Sequence, residues 1–305
     1  MNTTAKPDSA VPMKVKKQAS ARTKRIVTRT AAYTAMSLIA VFMLFPLYYT
    51  VVTSMRTRAD IGKEPVVFFP EQISFSNYGE FFTLLSTRYG TPIGRVLFNT
   101  FLNVGSIIVI SLTLCALAAY SLALLNYNGK KLIVKLMFAS MMIPGIVSLV
   151  PSYMLVYSLG MLGNPLGIIV PASYSIYGTL FLRAFFMQAP KELAEAARID
   201  GAGEMMIFTG IYLRLVIPGL ITLGLFTFNA HYNSYLWPSL VLMSPKSKEW
   251  APIAIAARDI RSYMSGAFNE GVVMATALIT VLPTVTIFLI GQRFFMDNLA
   301  FAGIK

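Results

Sequence analysis

Charge is scarce in this sequence. Only 13% of its 305 residues are Asp, Glu, Lys or Arg, about half of the roughly 25% typical of a soluble globular domain. Acid is the scarcer sign, with 13 acids against 26 bases. A single cysteine, Cys115, lies inside an apolar run, which excludes an intrachain disulfide and leaves the redox compartment unread. A single histidine, His231, cannot build a metal site alone and reads as a helix-packing or headgroup-level imidazole. No GxxxxGK[ST] loop occurs, so the chain has no phosphate cradle of that type. No nucleophile–base pair or metal motif is present either, and a hydrolase therefore has no support.

Apolar length is what the chain has in excess. With 56% hydrophobic residues and a mean hydropathy of +0.63, it reads as an integral membrane protein. Six runs reach the ~20 residues needed to cross a bilayer, near 31–54, 97–123, 132–158, 166–187, 212–237 and 272–296. The first is longer than a signal-peptide apolar core, so it is expected to span rather than be cleaved. Prolines 46, 144, 151, 171, 218 and 283 fall within the runs. Neighbouring helices can satisfy the carbonyls they free, so kinked helices are expected. Residues 1–30 hold eight Lys or Arg against Asp8 and read as a basic, disordered cytoplasmic tail near anionic headgroups, with 31–305 as the membrane domain. With that tail inside, 17 of the 26 bases but 6 of the 13 acids fall on the cytoplasmic side, satisfying the positive-inside rule with both termini cytoplasmic. The positive charge thus belongs to the bilayer surface, and no nucleic-acid partner is expected. Residues 55–96 form an outer segment in which Phe75, Tyr78, Phe81, Phe82 and Leu85 predict a short helix, and 238–271 form a second outer loop. Tyr235, Leu236 and Trp237 read as an interfacial aromatic belt.

Between the fourth and fifth runs lies a stretch too polar for the bilayer, Pro190 to Gly203, PKELAEAARIDGAG. Pro190 suits a first helical position, Glu192 and Glu195 the early turns, and Gly201 the end. Leu193, Ala196, Ala197 and Asp200 share one low-relief side that can dock into a groove, although on the helix pattern alone an amphipathic helix lying at the membrane interface is the plainer reading. On the second run, Asn99, Asn103, Ser106, Thr113 and Tyr120 form a polar stripe; on the fifth, Thr222, Asn229 and Asn233 form another. Asn103 and Asn229 fall at a similar depth, roughly 10 Å below the outer surface at about 1.5 Å per residue. These stripes either line a wet vestibule or bond between packed helices.

Glu195-Ala196-Ala197, three further residues and Gly201 resemble the EAA loop of ABC importer permeases. After nine residues the family has Ile-x-Leu-Pro; Ile211 and Leu213 match, Arg214 replaces the proline, and a second family proline is matched by Pro218. Phe98-Asn99-Thr100, Met142-Ile143-Pro144-Gly145, Asn164 through Pro171, Phe181-Leu182-Arg183 and Gln292-Arg293-Phe294-Phe295 extend the resemblance to the second permease of maltose-type sugar importers. One departure stands out: Tyr232-Asn233-Ser234-Tyr235 lies where the family usually has Trp-Asn-Asp-Phe.

The resemblance implies an all-α type I ABC importer permease fold with six transmembrane helices in the bacterial cytoplasmic membrane. It implies a coupling helix over 189–203, acting through Glu192, Glu195, Ala196, Ala197, Asp200 and Gly201; a sugar or oligosaccharide would then pass along the polar stripes, at Asn99, Asn103, Ser106, Thr222, Asn229 and Asn233. Partners implied are a homologous second permease, two copies of an ABC ATPase and an extracytoplasmic solute-binding protein. ATP and Mg would sit on the ATPases, and this chain would bind no cofactor. The alternative is an ion-coupled secondary transporter. Such proteins usually keep carboxylates within the membrane, whereas all 13 acids here lie outside the six runs.

Overall fold

A computed structural model describes residues 12–61, 69–70, 72–266 and 269–302. The first eleven residues of the basic tail, most of the Val66–Phe69 patch and the closing 303–305 lie outside them. Helix α1 (Pro12–Ser54) begins well before the first apolar run. The tail was expected to be disordered; from Pro12 it is helical, in keeping with its Lys, Arg, Gln, Met and Ala content. A short helix, α2 (Arg58–Ile61), then leads to α3 (Ser76–Tyr89), the outer-segment helix that the aromatic spacing predicts. It is pinned to the end of α1: the Asn77 carboxamide donates to Ser54 O at 2.9 Å and Arg56 O at 2.8 Å, and Ser54 Oγ lies 2.8 Å from Tyr78 Oη.

The second run is α4 (Ile93–Leu124), unbroken. The next three runs are sharply bent instead of gently kinked. The third divides into α5 (Lys130–Met141) and a segment through α6 (Leu149–Ser158), which meet at 94° around Pro144. The fourth divides into α7 (Leu166–Ala172) and α8 (Ile176–Gln188) at 43°. Ser175 begins α8 as an N-cap, its hydroxyl accepting from Gly178 N–H at 3.0 Å. After α9 (Glu192–Ile199), the fifth starts earlier than its apolar run, with α10 (Glu204–Ile207), a π-helical turn over Phe208–Tyr212 and α11 (Leu213–Leu215). It turns by 76° into α12 (Ile217–Tyr232). Arg214 in the place of the family proline does not remove this bend. Val216 takes φ −98°, ψ 9°, and Pro218, in the first turn of α12, has no N–H to offer Arg214 O. Helix α13 (Leu236–Val241) and α14 (Ile253–Gly266) form the second outer loop, and α15 (Glu270–Ala302) is the last span, continuous through Pro283.

Two buried clusters hold the bundle together. One joins α3, α4, α7, α13, α14 and α15 at the outer-loop end, through Phe81, Leu85, Ile107, Val241, Ile253, Ile260 and Val272. The other joins the far end of α4 to α8, α9 and the 207–216 bend, through Tyr120, Leu182, Phe186, Ala194, Phe208 and Tyr212. Gly178 lets α8 approach closely, since a Cβ there would lie 3.1 Å from Leu223 and 3.2 Å from Cys115 Sγ. Elsewhere the surface is apolar over long stretches, including Leu38, Phe42 and Val41 on α1 and Phe288 and Leu289 on α15. An exposed apolar belt of this extent is what a lipid-facing bundle requires.

Candidate functional site

The polar stretch between the fourth and fifth spans folds into α9 and an ordered end. Pro190 lies ahead of the helix rather than at its first position; Lys191 is the N-cap residue, its carbonyl accepting from Ala194 and Glu195 N–H. Asp200 is the C-cap and Gly201 follows at φ +81°. Gly201 N–H donates to Arg198 O at 3.1 Å and Ala202 N–H to Ala197 O at 2.9 Å. This pair of bonds closes the helix as a Schellman motif, which needs the left-handed conformation that glycine adopts without strain.

The face that α9 presents differs from the one expected. Ala194 is buried and Ala197 half-buried against the bundle, because only small side chains let this backbone close on the aromatic cluster behind it. Glu192, Glu195, Ala196 and Asp200 face outward with Leu193. Ile199, which the sequence reading passed over, is 87% exposed at the centre of this side. Met205 and Met206 extend the open apolar surface onto the next turn. The exposure of Ile199 was legible from its position: on a helix whose inner side is Ala194 and Ala197, residue 199 points the other way.

Three further residues fix α9 to the spans; sequence reasoning passed over Tyr212 and Glu204 and placed Tyr120 only in the polar stripe of α4. Tyr212 Oη donates to Pro190 O at 2.8 Å. Arg198 Nε donates to Glu204 Oε1 at 2.8 Å, and Tyr120 Oη, from the end of α4, donates to Glu204 Oε2 at 2.7 Å. One carboxylate thereby joins α9, α10 and α4. The Glu204 carboxylate also raises the Arg198 guanidinium above its ordinary pKa. Tyr120 is itself packed among Phe186, Phe208 and Tyr212, with ring centroids 5.9, 5.1 and 5.7 Å away. Helix α9 is therefore tied to α4, α8 and the 207–216 bend through close-packed rings and short hydrogen bonds. The one sequence signal was Glu204 itself, an acid opening the helix after Gly201.

The residues expected along a solute path are not gathered in one place. Asn103 is 3% exposed, both its carboxamide atoms are unpaired, and it borders a cavity of about 310 Å³ with Ser148, Ser152, His231 and Trp237. Asn233 borders a separate groove, at the outer end of α12. Asn99, Ser106, Thr222 and Asn229 border neither. Asn99 Nδ2 donates to Glu249 O at 2.7 Å and so anchors the second outer loop, Thr222 donates to Pro218 O, and Asn229 accepts from Asn233 Nδ2. Thr113, from the same expected stripe, is exposed on the apolar side of α4. The Trp237 indole N–H donates to Gly167 O at 3.1 Å, and the ring packs against the outer cluster.

A family of proteins described as the binding-protein-dependent transport system inner membrane component matches residues 114–297, from the middle of α4 to α15. This chain belongs to that family. It is thus a permease subunit of the ABC importer type, an inner-membrane component and not itself an enzyme. The permease is 32% identical over 262 residues to the sn-glycerol-3-phosphate transport system permease protein UgpE of Yersinia enterocolitica, covering 84% of this chain and 90% of that one. It is 28% identical over 276 residues to the protein of the same name from Agrobacterium fabrum, covering 90% and 97%. Its fold matches a permease chain in the crystal structure of a bacterial ABC transporter involved in the import of the acidic polysaccharide alginate, with a TM-score of 0.76 at 24% identity, over 90% of this permease and 98% of that chain. A second match, at TM-score 0.60 and 15% identity, is to a bacterial alginate ABC transporter in complex with an alginate pentasaccharide-bound periplasmic protein.

Proposed function

We propose that this permease forms one wall of the translocation path of an ATP-driven importer of a sugar, oligosaccharide or related polyol. A second, homologous permease forms the other wall. Two copies of a cytoplasmic ABC ATPase bind and hydrolyse Mg-ATP, and a solute-binding protein delivers solute to the outer face. Both termini and α9 are then cytoplasmic. The solutes named for the relatives, glycerol 3-phosphate and alginate, are both polyhydroxylated, which supports the substrate class.

The observation that carries this reading is the construction of α9. Its outer side offers Leu193, Ala196 and Ile199 to a partner, while its inner side is clamped by Tyr212, Glu204 and Tyr120. Closure of the ATPases would displace α9, and the aromatic cluster would turn that displacement into a rotation of α4 and α8, opening one side of the path as the other shuts. This chain's residues supply no phosphate chemistry in that cycle; they supply the docking face and the rigid connection.

The test is solute uptake by the purified complex in vesicles. Uptake should persist when proton and sodium gradients are collapsed and stop when internal ATP is removed. Uptake that follows an ion gradient and ignores ATP would replace this reading with the secondary transporter.

A further inference from the structure

At the end of the bundle away from α9, a groove of about 750 Å³ runs between α14, α15 and the end of α12. Its polar lining includes Arg258, Arg261, Ser262 and Ser265 on α14, with Asn233, Tyr235, Thr276 and Thr280 from the neighbouring elements. No lining residue is acidic. On α14 the two arginines are three residues apart, hence neighbours on one helix face, and the serines follow on the same face. Asp259 lies off that face and borders a different pocket, with Lys248.

The two guanidinium groups are held differently. Arg258 Cζ sits 4.1 Å from the centre of the Tyr235 ring, a cation–π contact made through the face of the guanidinium rather than through an ion pair. Arg261 lines the same groove, and among the described residues neither arginine has a carboxylate partner. Both arginines are exposed, one helical turn apart, with hydroxyl and carboxamide groups around them and no acid lining the groove, so an anion entering it exchanges hydration water for two cationic donors. The arginine fork matches carboxylate and phosphate oxygens better than any neutral hydroxyl.

We propose that this groove is a binding site for the anionic group of the transported solute, a carboxylate or a phosphate ester, with Arg258 and Arg261 as its specificity-determining residues. The proposal rests on the importer reading above and narrows its substrate class to acidic sugars or sugar phosphates. A neutral sugar would leave both charges uncompensated when it displaced water from the groove, which is a discrimination against it.

The site can be probed without knowing the solute. In the assembled transporter, Ser262→Cys places a reactive thiol in the groove, and the native Cys115 is buried. A negatively charged thiosulfonate reagent should react faster there than a positively charged one. The Arg258→Gln/Arg261→Gln pair should lower the ratio of the two rates by about tenfold, as expected for two nearby charges in a partly screened cleft. Inorganic phosphate or glucuronate should slow the labelling several-fold, and which of the two protects tells phosphate ester from carboxylate. Glucose should not protect. The Gln pair should abolish protection, and the Arg258→Lys/Arg261→Lys pair should keep the rate ratio but protect less well. Protection by neither anion, equal protection by glucose, or protection only by solute-free binding protein would each overturn the proposal, the last by making the arginines a protein-docking feature. ATP-independent uptake in the same vesicles would instead remove the importer reading, so the two failures are distinguishable.

Discussion

At the residue scale, small side chains decide most of what this permease can do. Gly201 ends α9 at φ +81°, where an L-residue with a branched Cβ is strained by roughly 1–2 kcal/mol. Gly201→Val should therefore fray the Schellman closure and let α9 slide on its partner. The expected outcome is ATP hydrolysis that continues with little uptake, read as moles transported per mole of ATP, while membrane insertion is unchanged. Gly178 has a different job. A Cβ there would press on Leu223 and Cys115 at the meeting of α4, α8 and α12, so Gly178→Val should overpack the site and cost about 1–3 kcal/mol. The melting temperature of the solubilised complex should fall, and the loss of uptake should track the loss of folded protein. The two glycines look alike in the sequence. Only Gly201, following the Glu-Ala-Ala motif, announced its role; the need at Gly178 arises from two helices far away in the chain.

At the element scale, the connection between α9 and the bundle runs through Glu204. Its ion pair with Arg198 is about half exposed, and such pairs contribute only about 0–1 kcal/mol. Glu204→Ala should therefore change the melting temperature little, yet cut uptake per ATP several-fold, because Arg198 and Tyr120 lose their common partner. Tyr120→Phe should give a smaller effect of the same kind, keeping the ring cluster and losing one hydrogen bond. If both variants transported normally, the carboxylate would be an ornament of the surface. The bent spans make a second case. Pro218→Ala restores an N–H that can reach Arg214 O, allows the helix to run through Val216, and should reduce transport in a complex that still assembles. Six apolar runs and a polar helix between the fourth and fifth were legible from length and charge. The 94° and 76° bends were not, since hydropathy records how much chain is apolar and not where it turns. Proline was an ambiguous guide: Pro46 and Pro283 sit inside continuous helices, while Pro144 and Pro218 stand at breaks. The polar stripe on α4 was legible only in part, for a related reason. Asn99 and Asn103 do face inward, but one of them is engaged by the outer loop at Glu249, a contact 150 residues away that periodicity cannot show.

At the scale of the whole molecule, the two buried clusters divide the labour. The cluster around Tyr120, Phe186, Phe208 and Tyr212 lies beside α9; the cluster around Phe81, Ile253 and Val272 holds α3 and α14 over the opposite end, where the arginine-lined groove opens. Helix α4 contributes to both. The apolar exterior, extensive on α1 and α15, commits the molecule to a bilayer and leaves α9 among the few polar surfaces at its end. Everything in this account depends on what covers Ile199. A photo-crosslinking amino acid placed at position 199 in the assembled transporter tests it most directly. The account predicts an adduct with the ATPase subunit whose yield changes between nucleotide-free and ATP-bound states; an adduct with the extracytoplasmic binding protein, or none with the ATPase in either state, would contradict it.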